Sequence, residues 1–199
     1  MTDRDVVRHV CLEAAALHQR IAEIGADAIV KAAGVIGEAL ASGHKVLVFG
    51  NGGSAADAQH FAAELVGQFS RRADRPALPV MALTTDLAIM TAVANDFGFA
   101  AVYARQIEAL GTAGDVALAI TTSGRSANVN EGLRWALDRS LTTIALTGGD
   151  GGESGRLADV HVNVPDGNPQ RVQEVQQTIL HVICELVERR LAGAPGREA

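Results

Sequence analysis

Residues Val46 to Leu65 limit the possible folds of this chain more than any other stretch. Val46-Leu47-Val48-Phe49 is an apolar run too short for a helix and reads as a buried strand. Glycines at 50, 52 and 53 permit a sharp turn, and the alanine-rich run beginning at Ser54 favours helix. A strand that passes through a glycine turn into a helix is the repeating unit of an α/β protein. The turn also has a use. Gly52 and Gly53 let a ligand approach the backbone, the unpaired N–H groups of a helix start attract an anion, and Asn51 and Ser54 add polar side chains. His60 and Glu64, four residues apart, share one helix face about one turn below that anion site.

The rest of the chain repeats the pattern. Helical spacing covers Val6 to Ile24 and Ala28 to Leu40, with a division near Gly25. Ser70 to Pro76 reads as an exposed loop, Leu78 to Leu83 as a second strand and Leu87 to Val93 as a helix capped by Asp86. Ala94 to Phe99 reads as a turn bearing Asn95 and Asp96, followed by helix from Ala101 to Leu110. Strands are expected at Val116 to Ile120, Thr142 to Leu146 and Val160 to Val164. Helices are expected at Val129 to Arg139 and Arg171 to Leu191. The prediction is a three-layer α/β sandwich with a central parallel sheet of about five strands, preceded by two N-terminal helices. Residues 1–42 form a helical oligomerisation segment in this reading, 43–192 the domain that binds a small phosphorylated molecule, and 193–199 a frayed tail. The N-terminal helices have no sheet of their own to cover, so they are expected to pack against partner subunits; a self-contained hairpin is the alternative.

Charge and composition remove several classes of function. A net charge of −6 leaves no basic stripe for nucleic acid, and 4% aromatic residues offer no stacking platform for bases. The apolar runs are too short to cross a bilayer, and the charged start Met1 to Asp5 is not followed by a signal-type segment. Cys11 and Cys184 lack metal-type spacing and read as reduced thiols of a cytoplasmic protein.

A second strand-to-helix turn is rich in hydroxyls. Thr121, Thr122, Ser123 and Ser126 surround Gly124 and can donate to the outer oxygens of a phosphate monoester. Helix capping alone also accounts for one such turn; two of them at the carboxyl edge of a single sheet favour a ligand. On the last helix Gln173, Gln177 and His181 form one row beside an apolar face.

Together these residues are similar to a known family. Gly50-Asn51-Gly52-Gly53-Ser54 with His60 and Glu64, Ala94-Asn95-Asp96-Phe97-Gly98, Thr121 to Asn128, and Arg171-Val172-Gln173-Glu174 with His181 resemble the bacterial phosphoheptose isomerases of the sugar isomerase (SIS) domain superfamily. The resemblance implies conversion of sedoheptulose 7-phosphate to D-glycero-D-manno-heptose 7-phosphate, an early step towards heptose for lipopolysaccharide and other surface glycans. It implies a substrate site of Asn51, Gly52, Gly53, Ser54, Glu64, Asn95, Asp96, Thr121, Thr122, Ser123, Ser126 and Gln173. It further implies Glu64 and His181 as catalytic residues, one zinc ion per subunit held by His60, Glu64, Gln173 and His181, and a homotetramer. Thr121 stands where the family often has serine, and Gln176 where many members have histidine.

The chemistry agrees with the residues. Moving a carbonyl between C1 and C2 of an open-chain sugar needs a base for the proton alpha to the carbonyl and an acid or metal for the enediolate oxygen. Glu64 and His181 can exchange those protons, and nitrogen and oxygen ligands suit zinc. Gln173 and His181 are eight residues apart, about 12 Å along a helix, so both reach one ion only if their side chains converge or Gln173 precedes the regular helix. Two other readings remain open. One is a non-catalytic SIS scaffold that binds the replication initiator protein, and the other is an isomerase of a different sugar phosphate.

Overall fold

The computed structural model describes residues 1–70 and 75–192; most of the expected loop at 70–76 and the expected tail at 193–199 lie outside them. Strands β1 (Val46–Gly50), β2 (Val80–Ala82), β3 (Val116–Ile120), β4 (Thr142–Gly148) and β5 (Val160–Val164) form one sheet in the order β2-β1-β3-β4-β5. Every pairing is parallel, with Gly50 opposite Ile120 and Ile120 opposite Leu146. Because the chain runs from β1 outward to β2 and then returns to β3 on the other side of β1, the strand order reverses between β1 and β3. A crevice opens there at the carboxyl edge, where α/β sheets bind ligands.

The period-two pattern of the strands builds a core on each face of the sheet. Val46, Val48, Val116, Leu118, Ile120, Ile144 and Leu146 face one layer of helices; Leu47, Phe49, Ala117, Ala119 and Ala145 face the other. The first layer holds α2 (Ala26–Ala41), α3 (Gly53–Val66) and α8 (Pro169–Leu191), with α1 (Asp3–Ile24) laid on its outside. The opposite layer holds α5 (Val102–Leu110) and α6 (Ala127–Asp138), with α4 (Leu87–Phe97) and the short α7 (Gly152–Leu157) at its edges. Helix α3 buries Ala58, Phe61, Ala62 and Leu65, and α8 buries Val172, Val175, Ile179, Ile183 and Val187, all in one core. Each fully buried large apolar side chain in that set contributes about 1.5–3 kcal/mol.

The N-terminal helices divide in role. Helix α2 buries Ile29, Ala32, Ala33, Ile36 and Leu40 in the domain core and is part of the sandwich, which corrects the reading that both helices lack a sheet to cover. Helix α1 buries only Leu17 and Ile21 and leaves Val6, Val7, Leu12 and Ile24 exposed. Other differences are local. Helix α4 continues through Asn95 and Asp96 to Phe97 and stops at Gly98, whose φ of +84° breaks it, so those two polar residues lie on a helix rather than in a turn. Strand β2 is confined to Val80–Ala82, directly after Pro79. Helix α7 begins at Gly152, inside the stretch Thr147-Gly148-Gly149-Asp150-Gly151-Gly152, whose glycines by sequence alone read as a flexible turn.

A buried ion pair ties the far ends of α3 and α8 together. Glu188 accepts from Arg75 Nε at 2.8 Å and from the backbone N–H groups of Phe69 and Ser70 at 3.1 and 3.0 Å. Arg75 also donates to the carbonyls of Glu64 and Leu65 at the end of α3. Both side chains are buried, with 1% and 4% exposed. Glu188→Ala leaves the buried guanidinium without its counter-charge and removes the acceptor of the Phe69 and Ser70 N–H groups, so unfolding free energy should fall by about 3–5 kcal/mol in urea denaturation at fixed protein concentration. A loss under about 1 kcal/mol, the scale of an exposed pair, would refute the clamp.

Candidate active site

The first turn is shaped by what surrounds its backbone. Gly50 ends β1 so close to β3 that an added Cβ would stand 2.5 Å from the Ile120 carbonyl oxygen. Gly52 has φ +58°, which favours glycine, and its Cβ direction points into open space where a ligand can approach. Asn51 is held by a reciprocal amide pair with Asn128 on α6, both bonds 2.8 Å, and Tyr103 donates its hydroxyl to the Gly50 carbonyl. Burial pushes the Tyr103 phenol up to about 12, so it remains a donor at physiological pH. Neither Tyr103 nor the pairing role of Asn128 was marked by sequence; the strand and helix spacing around them reads as ordinary core.

The second turn stands beside the first, since β1 and β3 are neighbours. Gly124 has φ +63°, and its backbone touches that of Gly151 and Gly152, leaving no room for a side chain. The Gly124 N–H donates to Thr121 Oγ1 at 3.3 Å, and its carbonyl accepts from Ser154 N–H at 3.0 Å. Arg125 pairs with Asp150 at 2.6 Å, and both side chains are exposed. Ser126 occupies the N-cap position of α6, yet its side chain makes no capping bond. Capping therefore does not account for that hydroxyl.

Helices α3 and α8 bring the remaining polar residues together. Both begin at the carboxyl edge of the sheet and lie side by side on the same core. At their beginnings, Gln173 rests against Gly53, its amide nitrogen 2.8 Å from where a Cβ would stand. Gln173 lies inside regular helix, since α8 starts at Pro169. Two turns further along, His60 Nε2 is 2.9 Å from His181 Nε2 and 3.1 Å from Glu64 Oε1. The imidazole rings are 5.0 Å apart at their centroids, and Phe69 covers His181 at 5.7 Å. Ligand atoms of His60, Glu64 and His181 all fall within 4.8 Å of one another.

This donor set suits a divalent cation. Two ring nitrogens and a carboxylate oxygen are a zinc-type set, and tetrahedral ligands at about 2.0–2.1 Å from an ion stand roughly 3.3 Å apart, close to the spacing found. Asp57 stands one turn before His60, and its buried Oδ2 has no hydrogen-bond partner among the described residues. Burial raises its carboxyl above the usual range, partly opposed by His60. Sequence reasoning passed over Asp57, although its spacing from Gly53 and His60 sets it on the same face. Asn95 and Asp96 are exposed on α4 and bonded to each other at 2.7 Å.

The fold and these two turns define a SIS domain, and residues 11–148 match the SIS domain family. A phosphoheptose isomerase of Aquifex aeolicus is 52% identical over 92% of this chain and 94% of its own length. A solved phosphoheptose isomerase from Neisseria gonorrhoeae superposes with a TM-score of 0.89 at 40% identity, covering 94% of this chain and all of that one. Another from Francisella tularensis gives 0.91 at 38% identity over 95% of this chain and 100% of its own. The chain belongs to the phosphoheptose isomerase family, and it is an isomerase.

Whether His60, Glu64 and His181 hold a metal is testable apart from catalysis. Zinc titrated into metal-stripped protein should bind at about one ion per chain, and His181→Ala should weaken it by more than the roughly 10–100-fold typical of losing an outer partner. Unchanged zinc affinity in that variant by calorimetry would remove His181 from the ligand set.

Proposed function

We propose that this chain converts sedoheptulose 7-phosphate to D-glycero-D-manno-heptose 7-phosphate through an enediolate. The observation that supports the reading is that His60, Glu64 and His181 meet between α3 and α8, on the helix whose start carries the open glycine turn, so we read the site as having two ends. One end has the open backbone at Gly52 and Gly53, flanked by Ser54 and the hydroxyls of Thr121, Thr122, Ser123 and Ser126; the other has the facing His60, Glu64 and His181. A monoester and a reacting carbon pair are the two parts of a sugar phosphate, and α3 spans the distance between them.

The reaction moves one proton from C1 to C2 and one from the O1 hydroxyl to O2. The Glu64 carboxylate takes the C1 proton and returns it to C2, while the His181 imidazole carries the hydroxyl proton between the oxygens. Hydroxyls and amides at the phosphate end hold the substrate so that these transfers occur within one fixed geometry. When bound, zinc polarises the two sugar oxygens as a Lewis acid. His60, Glu64 and His181 would hold it, and the family resemblance adds Gln173. Among these assignments Gln173, Asn95 and Asp96 rest on the resemblance.

A homotetramer in the cytoplasm completes the reading. The apolar residues that α1 leaves exposed, together with Leu87, Ile89 and Phe97 on α4, which buries none of its residues, support subunit packing. Free Cys11 and Cys184 agree with a reducing compartment, and no helix among the described residues is long and apolar enough to cross a membrane. A non-catalytic scaffold has no use for Glu64 and His181 converging across two helices, which favours the enzyme.

Incubation with sedoheptulose 7-phosphate and a panel of shorter sugar phosphates should yield a new aldose 7-phosphate from the heptulose alone. Turnover confined to a shorter sugar would reassign the substrate. Glu64→Gln is expected to lower kcat by about 10²–10⁴ while light scattering reports the same assembly; ordinary turnover in that variant would end the acid–base assignment.

A further inference from the structure

Gln176 is wholly buried, and its two ends are treated differently. Its amide Nε2 donates to the Leu146 carbonyl of β4 at 3.2 Å and to the carbonyl of Thr121, the residue just past β3, at 3.4 Å. Its Oε1 has no donor among the described residues. Reversing the amide would face its oxygen to two carbonyls, so the observed orientation is the better one. A buried acceptor without a partner costs stability, and an apolar residue of the same shape would avoid that cost. The N–H end therefore invites a functional account.

Its position supplies one. In a parallel strand the N–H and C=O of one residue point to the same side, and successive residues alternate. Thr121 N–H donates to Leu146 on β4, so the Thr121 carbonyl also faces β4, where Gln176 receives it. The peptide between Thr121 and Thr122 is planar and trans, so its N–H points opposite to its carbonyl. A carbonyl held towards β4 thus directs the Thr122 N–H away from β4, to the side on which β1 and its glycine turn lie. Just after this peptide the chain leaves the sheet for the turn at Gly124, and the ladder ends at Thr121. Gln176 is also on the same helix as Gln173 and His181. Through it α8 bonds directly to the strand that carries the hydroxyl turn.

We propose that Gln176 is a positioning residue for the phosphate end: it fixes the Thr121–Thr122 peptide so that the Thr122 N–H is presented to the monoester. The proposal deepens the isomerase reading and rests on the phosphate end assigned there. It is tested with inorganic phosphate as the probe, whose binding does not depend on which sugar is isomerised.

Gln176→Met and Gln176→Leu remove the donors and the partnerless acceptor together, and two variants are used so that a folding failure of one leaves the other. Both are expected to raise the Kd for inorganic phosphate at least fivefold by calorimetric titration. KM for sedoheptulose 7-phosphate should rise in parallel while kcat changes less than twofold. Gln176→His keeps a ring N–H within reach of these carbonyls and should return the phosphate Kd to within twofold of the wild type. A Kd within twofold of wild type in the Met or Leu variant overturns the proposal, and so does a loss that His does not reverse, which would assign the effect to packing. If the wild-type chain binds phosphate yet does not turn over the heptulose, the proposed function fails while the role of Gln176 is still decided by the phosphate data.

Discussion

The site depends on two helices lying side by side on one face of the sheet and running in the same direction. Phe61 and Leu65 of α3 and Val175, Ile179 and Ile183 of α8 must leave water, and the sheet face they cover is common to both. Once those apolar stripes are buried, the neighbouring rows of each helix are forced into the groove between them. Gln173 then meets Gly53, and His181 meets His60. The matched contacts are seven residues apart on α3 and eight on α8, about 10–12 Å along each axis, so the pairings at both ends are compatible. The Arg75–Glu188 pair closes the far end of the same two helices, where an irregular segment follows α3.

The anion end depends on the opposite layer. Tyr103 and Asn128 reach across from α5 and α6 to hold Gly50 and Asn51, and Gly124 is wedged against Gly151 and Gly152. Close backbone approach on every side leaves few routes by which the turns can relax. A rigid, side-chain-free surface with hydroxyls around it suits a small tetrahedral anion, whose oxygens require donors at set positions. Here the glycines matter less for flexibility than for the room that a Cβ would occupy.

Much of this could be read before any coordinates. Strands β1, β3 and β5, the long last helix and both turns carry short-range signals, and His60 with Glu64 is visible because four residues of helix restore the same face. What went unread has a common cause. Helix α2 covers the sheet from before its first strand, α7 forms within a glycine run because its neighbours hold it there, and α4 continues through Asn95 and Asp96 because Gly98 is the first residue to break it. Asp57 looks like filler on an amphipathic helix and only its missing partner singles it out, while Gln176 stands out in the sequence only as a departure from the family pattern, with no role legible until its contacts are known.

By itself, the sequence determined an α/β sheet with two anion-friendly turns and a last helix bearing a histidine beside its apolar stripe, since strand, turn and helix patterns depend on neighbours a few residues away. Which of those pieces share a groove was decided by tertiary structure. His60 and His181 are 121 residues apart in the chain, and no local periodicity reports that two buried faces will bring their ring nitrogens to 2.9 Å. The strand order that sets the two turns side by side is likewise a property of the sheet, because pairing of β1 with β3 rather than with β2 alone is chosen by the burial of both.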